Sequence, residues 1–286
     1  MKVLVIGGTG TVGREVVRAL GASGIEPRIL TRSAGTADSL PVESAVGDLA
    51  RPETLAPAFD GVDGAFVLVP LGPDETERAL AAVEAARTAR LARLVYMSVA
   101  MPPGSEVIPH FASKLPVERA IRASGIPWTI LRPNNFFQND VALGDAIFRH
   151  GVYPQPIGSR GLNRVDVRDI AEAAAHAFAR PGHDGVFALN GPRGLTGDDT
   201  ARIYTERLGR PVRYLGDDLD EWGRQAAAAM PEWLIRDLQV MFRYFQDYGL
   251  HASGTDFAAQ ERILGHAPRP FETFAEELVS AWKAGQ

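Results

Sequence analysis

Gly7, Gly10 and Gly13 recur at three-residue spacing in Gly7-Gly8-Thr9-Gly10-Thr11-Val12-Gly13, directly after the apolar run Val3-Leu4-Val5-Ile6. A glycine turn of this spacing between a buried strand and a helix removes side chains at three places. They are the tight turn, the close approach of backbone to a pyrophosphate, and the contact of helix with strand. The helix N-terminus then faces the phosphates. The chemistry this allows is dinucleotide binding, and Thr9, Thr11 and Val12 join the three glycines as cofactor-binding candidates.

A site selective for NAD places Asp or Glu at the end of the second strand, about 20 residues beyond the loop, to accept from the ribose 2'-hydroxyl. Here that place holds Thr31-Arg32-Ser33. The guanidinium fork of Arg32 matches a 2'-phosphate, so the expected cofactor is NADP rather than NAD; an ordinary surface arginine is the competing reading. In Gly47-Asp48-Leu49, the carboxylate is placed to accept from an adenine amino group and Leu49 to pack on the ring. A turn in which Asp48 caps the next element is the alternative.

These residues need elements to position them. Val3–Ile6 is a β-branched run without polar alternation, as expected for a strand covered on both faces of a parallel sheet. Helical spacing follows in 13–20, closed by Gly21 and Gly24. The alternation recurs in strands at 28–31, 44–46, 65–69, 94–98 and 128–131, with helices expected over 74–90 and 112–123. Pro and Gly crowd 151–161, then a strand stub and helix over 165–179 precede a last strand at 185–189. From about Thr196 the pattern is mostly helical and rich in aromatic residues. The expected class is α/β, a Rossmann-type doubly wound parallel sheet with a smaller, mainly helical C-terminal lobe. Residues 1–150 make the dinucleotide-binding domain, its sheet completed by 165–190. Residues 151–164 and 191–286 make the substrate-side lobe.

Composition removes other classes. The 286 residues include no cysteine, so disulfides, thiolate metal sites and a cysteine nucleophile are excluded. No metal site is expected: the six histidines show no ligand pairing with a carboxylate, and neither H-E-x-x-H nor G-x-S-x-G occurs. A net charge of -5 with interspersed signs gives no basic stripe for nucleic acid. No apolar run approaches the ~20 residues that span a bilayer, and Met1 to Ile6 carries no signal pattern, so a cytoplasmic protein is expected. Of 30 basic residues only Lys2, Lys114 and Lys283 are lysine, leaving 27 arginines.

The ordered set Gly7 to Gly13, Thr31-Arg32, Gly47-Asp48, Tyr96-Met97-Ser98, His110-Phe111-Ala112-Ser113-Lys114 and Trp128 to Phe136 resembles the atypical short-chain dehydrogenase/reductase superfamily. The likeness covers nearly the whole chain and is greatest to the NmrA-like branch, which includes quinone reductases and nonenzymatic NADP sensors. The resemblance implies that backbone at Val69 and Pro70 lines the nicotinamide-side ribose and that Lys114 hydrogen-bonds it. It also implies that Pro133, Asn135 and Phe136 border nicotinamide and substrate. The superfamily uses Ser, Tyr and Lys, with Tyr four residues before Lys. His110 stands in that place, so the usual triad is incomplete.

Three residues are therefore candidates for catalysis. Histidine as a residue type titrates near neutrality, so His110 could donate a proton, contact substrate, or simply start a helix. Lys114 is one of three lysines in an arginine-dominated chain, which suggests a need for a compact ammonium. Ser98 ends a strand at the carboxyl edge, where ligands bind in such sheets, with capping as its alternative. Quinone reduction demands less of a positioned acid, because the hydroquinone anion is delocalised. The expected activity is NADPH-dependent reduction of a quinone or conjugated carbonyl, with a small aromatic or conjugated molecule as partner and a monomer or homodimer as the assembly. Phe136 and Phe137 are substrate-wall candidates, as are Trp222, Met230, Trp233, Phe242 and Phe245. A nonenzymatic NADP(H) sensor and a cofactor-recycling isomerase or epimerase are the competing functions.

Overall fold

The computed structural model describes residues 1–285. The first half runs β1 Lys2–Val5, α1 Thr11–Ala22, β2 Glu26–Thr31, α2 Ala34–Asp38, β3 Ser44–Val46, α3 Ala56–Phe59, β4 Gly64–Val67, α4 Glu75–Thr88 and β5 Arg93–Met97. It continues with α5 Pro109–Ala112, α6 Lys114–Ala123, β6 Trp128–Pro133, β7 Val152–Tyr153, α7 Val167–Ala179 and β8 Gly185–Leu189. The remainder is α8 Gly197–Leu208, β9 Arg213–Tyr214, α9 Leu219–Ala226, α10 Glu232–Tyr248, α11 Gly254–Leu264 and α12 Phe271–Ala284. Seven strands form one parallel sheet in the order β3-β2-β1-β4-β5-β6-β8, while β7 and β9 pair separately. No described helix is long and apolar enough to cross a membrane.

The missing alternation in β1 has a direct cause. Val3 and Val5 enter the core shared with α1 and α7, whereas Leu4 and Ile6 enter the core on the other face, with α3, α4 and α6. Burial on both faces leaves no place for a polar residue. In α7 the alanines Ala171, Ala173, Ala174, Ala175 and Ala177 are all buried, because the helix packs against α1, α11 and the sheet together. Small side chains let those neighbours approach closely.

Two glycines shape the first turn. Gly7 has φ +79°, a left-handed conformation that favours glycine, and a Cβ there would lie 2.6 Å from the Leu68 carbonyl oxygen. A Cβ on Gly13 would lie 2.0 Å from the Gly7 carbonyl oxygen, so α1 seats on the turn only without that side chain.

Several boundaries differ from the sequence reading. β4 stops at Val67 and not at residue 69, and the helix expected over 112–123 begins at Pro109 and is interrupted at Ser113. Val165 makes a single parallel bridge to Phe136 instead of a strand stub. The C-terminal region does not stay on the substrate side: Ile263 and Leu264 of α11 join the α1–α7 core. Mostly helical patterning does not reveal which face of the molecule a helix returns to.

The remaining core belongs to the helical region and is built around a buried ion pair. Arg164 and Asp140 are both fully buried, with Arg164 Nη2 donating to Asp140 Oδ1 at 2.7 Å and to the Phe136 carbonyl at 2.9 Å. Nε donates to Asn135 Oδ1 at 3.2 Å, the guanidinium lies over Phe271 at 5.1 Å, and Tyr204 Oη donates to Asp140 at 3.0 Å. Removing one partner of such a pair leaves an uncompensated buried charge. Asp140→Ala should therefore lower the unfolding free energy by about 3–5 kcal/mol, whereas the double change Arg164→Met with Asp140→Leu should recover much of the loss. Denaturant titration of the three proteins checks this; equal stability of Asp140→Ala and the parent would contradict it.

Candidate functional site

Two clefts of about 470 and 500 Å3 lie along the carboxyl edge of the sheet and share Gly7, Thr9 and Pro70, so they form one groove. Such a position, outside the strand ends, is where open α/β sheets bind ligands.

The first cleft is walled by the ends of β1, β2 and β3. Arg32 is exposed beside Ser33 and Thr36, and Asp48 and Leu49 line the opposite side. Ser33 Oγ accepts from the Thr36 backbone N–H at 3.3 Å, which fixes the turn after Arg32. The Asp48 carboxylate accepts from Ala50 N–H at 3.0 Å and from Arg51 Nε at 3.3 Å. The Ala50 hydrogen bond, and after it Arg51, hold its carboxyl below the ordinary aspartate range. Arg78 of α4 also lines this cleft. Its Nε is buried without a hydrogen-bond partner, while its Nη2 sits 2.6 Å from Asp74. The sequence reading missed Arg78, since one arginine among 27 on a charged helix carries no signal.

Between the clefts, Gly10 precedes α1 with no side chain to cap it, and the first turn of α1 carries no acidic residue. That leaves the positive end of the helix available to an anion. Thr11, Val12 and Gly13 line neither cleft: Val12 is in the sheet core, Gly13 lies against Gly7, and Thr11 is exposed. A dinucleotide fits this groove on two structural grounds: a turn that a Cβ would fill, and a buried guanidinium nitrogen without a partner.

The second cleft brings together Val69, Pro70, Ser98, His110, Lys114, Pro133, Asn135 and Phe136. Leu238, Met241, Phe245 and Leu250 close it from the helical region. No tyrosine lines it among the described residues. Of the expected aromatic wall only Phe136 and Phe245 are present. Phe137 is a correction: it is 1% exposed and meets Phe271 edge-on at 5.1 Å. The chain turns after Phe136 so that Phe137 N–H reaches the Val165 carbonyl, which sends the ring into the helical core. Phe242 is likewise buried, and Trp222, Met230 and Trp233 do not reach the cleft.

Ser98 is present but committed. Its Oγ donates to Glu118 Oε1 at 2.7 Å, and the same carboxylate receives Arg132 Nη2 at 2.7 Å and Arg122 Nη2 at 3.2 Å. Burial would raise the Glu118 carboxyl, but the Arg132 and Ser98 donors win and hold it low. Ser98 is therefore pinned by its proton, and only its oxygen can still accept.

Lys114 contacts Glu75, which is 3% exposed and receives Ser113 Oγ at 3.2 Å. Burial pushes the Lys114 ammonium down to about 8. Against that, Glu75 supplies an opposite charge, so the pair is net neutral while Lys114 keeps its proton. His110 bonds through Nδ1 to Asp237 of α10, a contact across 127 positions of sequence. Neither Glu75 nor Asp237 was legible in the sequence, because each acts through a partner on a distant element. Elsewhere, Asp169, Glu172 and His266 cluster, but Arg269 donates to both carboxylates and supplies the cation.

Because Lys114 titrates lower folded than unfolded, the unfolded chain holds more protons between about 8 and 10.5. Unfolding free energy should therefore rise with pH through that window. The rise should be absent in Lys114→Met. Denaturant midpoints from neutral to alkaline pH check this, and parallel curves for the two proteins would refute it.

Comparison with known proteins places this geometry in context. Residues 1–275 match the NmrA-like family. An NAD(P)H azoreductase of Xenophilus azovorans is 33% identical over 291 residues, covering 99% of both chains. The (4-alkanoyl-5-oxo-2,5-dihydrofuran-3-yl)methyl phosphate reductase of Streptomyces griseus is 32% identical, covering 98% of this chain and 99% of its own. Among solved structures, the Citrobacter sp. triphenylmethane reductase complexed with NADP(H) superposes with a TM-score of 0.82 at 25% identity, covering 98% and 99%. A match spanning nearly the whole sequence, with relatives aligned end to end, means that this chain belongs to the NmrA-like family.

Proposed function

We propose that the protein is an NADPH-dependent reductase that delivers a hydride to a small, flat, conjugated acceptor such as a quinone, an enone or an azo compound. The observation that carries this reading is the single groove with Arg32 at one end and a mainly apolar cleft at the other. Relatives named for reducing an azo compound, a dihydrofuranone or a triphenylmethane support a conjugated acceptor.

Bound NADPH supplies the hydride. The protein supplies position and electrostatics. Backbone at Gly7, Thr9 and Gly10, with the α1 N-terminus behind it at Thr11, Val12 and Gly13, receives the pyrophosphate. Arg32 takes the 2'-phosphate, Asp48 and Leu49 border the adenine, and Val69, Pro70 and Lys114 border the nicotinamide ribose. Pro133 lies beside the nicotinamide, while Asn135 and Phe136 face the acceptor. Phe245, Met241 and Leu238 cover it and exclude water. On this reading the protein works in the cytoplasm, as a monomer or homodimer.

Arg32→Ala should weaken NADPH binding by ~1.5–3 kcal/mol, the range for a charge-assisted contact, and leave NADH binding nearly unchanged. Calorimetric titration with both cofactors measures this, and equal losses would overturn the assignment of Arg32. For the reaction, NADPH oxidation followed against quinones, enones and azo dyes should show turnover with at least one class. Silence across the whole panel would defeat the reductase reading.

A further inference from the structure

The second cleft lacks the tyrosine that supplies a proton in the superfamily this chain resembles, and the residue in its place is not idle. His110 lines the cleft, and its Nδ1 bonds to the carboxylate of Asp237. Asp237 is 7% exposed and comes from α10, the helix whose Leu238 and Met241 wall the other side of the same cleft. His110 Nε2 has no hydrogen-bond partner among the described residues, and it is not an orphaned buried atom. Phe111 meets the imidazole edge-on at 4.9 Å and limits its rotation.

A carboxylate on Nδ1 holds the ring in one orientation and leaves Nε2 as the nitrogen that can carry a proton to the acceptor. We propose that His110 and Asp237 form a proton-donating dyad: His110 is the general acid, Asp237 the positioning residue, and the acceptors it serves are those whose reduced anion is too basic to wait for water. The proposal rests on the reductase reading above. In the step, hydride adds with its electron pair to one end of the conjugated acceptor, and an electron pair moves to the heteroatom at the other end. The Nε2–H bond breaks, its proton joins that heteroatom, and the electron pair stays on the imidazole, which solvent reprotonates.

Other charged groups near His110 do not duplicate this role. Lys114 on α6 is engaged with Glu75 of α4 as a net-neutral pair, and Glu106 on the turn before α5 is exposed. The dyad also spans the two regions of the fold, so the acid is in place only when α10 is seated over the acceptor.

The test compares the parent protein with His110→Gln, Asp237→Asn and the double variant, using a naphthoquinone and a cyclic enone in single turnovers at saturating NADPH. Positioned acids contribute roughly 100-fold or more. Each single variant should slow the enone by about 100-fold and the quinone by only a few-fold, because the hydroquinone anion is delocalised. The double variant should be no slower than His110→Gln, and NADPH affinity should be unchanged in all. Independently of turnover, 1H–15N NMR of the cofactor-free protein should show a slowly exchanging, downfield His110 Nδ1–H that Asp237→Asn abolishes.

Equal slowing of both acceptors, additive losses in the double variant, or persistence of the Nδ1–H signal in Asp237→Asn would each overturn the dyad. Parent turnover of both acceptors with variants equally fast removes the dyad and leaves the reductase. No parent turnover with either acceptor removes both.

Discussion

The buried pair of Arg164 and Asp140 is the constraint on which the site depends. A guanidinium without solvent must find all its acceptors inside the protein, and here they include Asp140, Asn135 Oδ1 and the Phe136 carbonyl. The chain leaving β6 is thereby held at the residues that border the acceptor cleft. Tyr204 and Phe271 close the same network from α8 and α12. The polar knot thus adds to the apolar contacts that place Phe136 at the wall of the cleft.

A second division of labour follows along the carboxyl edge. The first cleft is lined mainly by turns between sheet strands and helices, with Arg78 added from α4. The second cleft is lined by turns at the sheet edge together with residues of α5, α6 and α10. The carboxylates Glu75, Glu118 and Asp237 stand behind Lys114, Ser98 and His110 respectively. Each of these three polar residues lining the second cleft thus has a buried acid at its back.

The legible and illegible parts of the sequence separate along the same line. The β1 run, the glycine spacing and Arg32 are local signals, because each follows from backbone geometry within one βαβ unit. Asp237 and Glu75 are set by contacts between elements far apart in sequence, for which no spacing rule exists. The placement of Phe137 is illegible for a related reason: the turn that meets Val165 sends the side chains of Phe136 and Phe137 to different cores. Ser98 was read by position alone, and only the Glu118 cluster shows that its proton is taken. The return of α11 was invisible because amphipathic patterning reports that a face is covered, not by which partner.

That return has a consequence for synthesis of the chain. Ile263 and Leu264 complete the core beneath α1 and α7, although β1 and α1 are translated long before them. Until residue 264 emerges, that flank is covered by α7 but not by α11, and contacts separated by most of the sequence between them must then form. The core under the N-terminal βαβ unit is thus completed by a segment far downstream of it in the sequence.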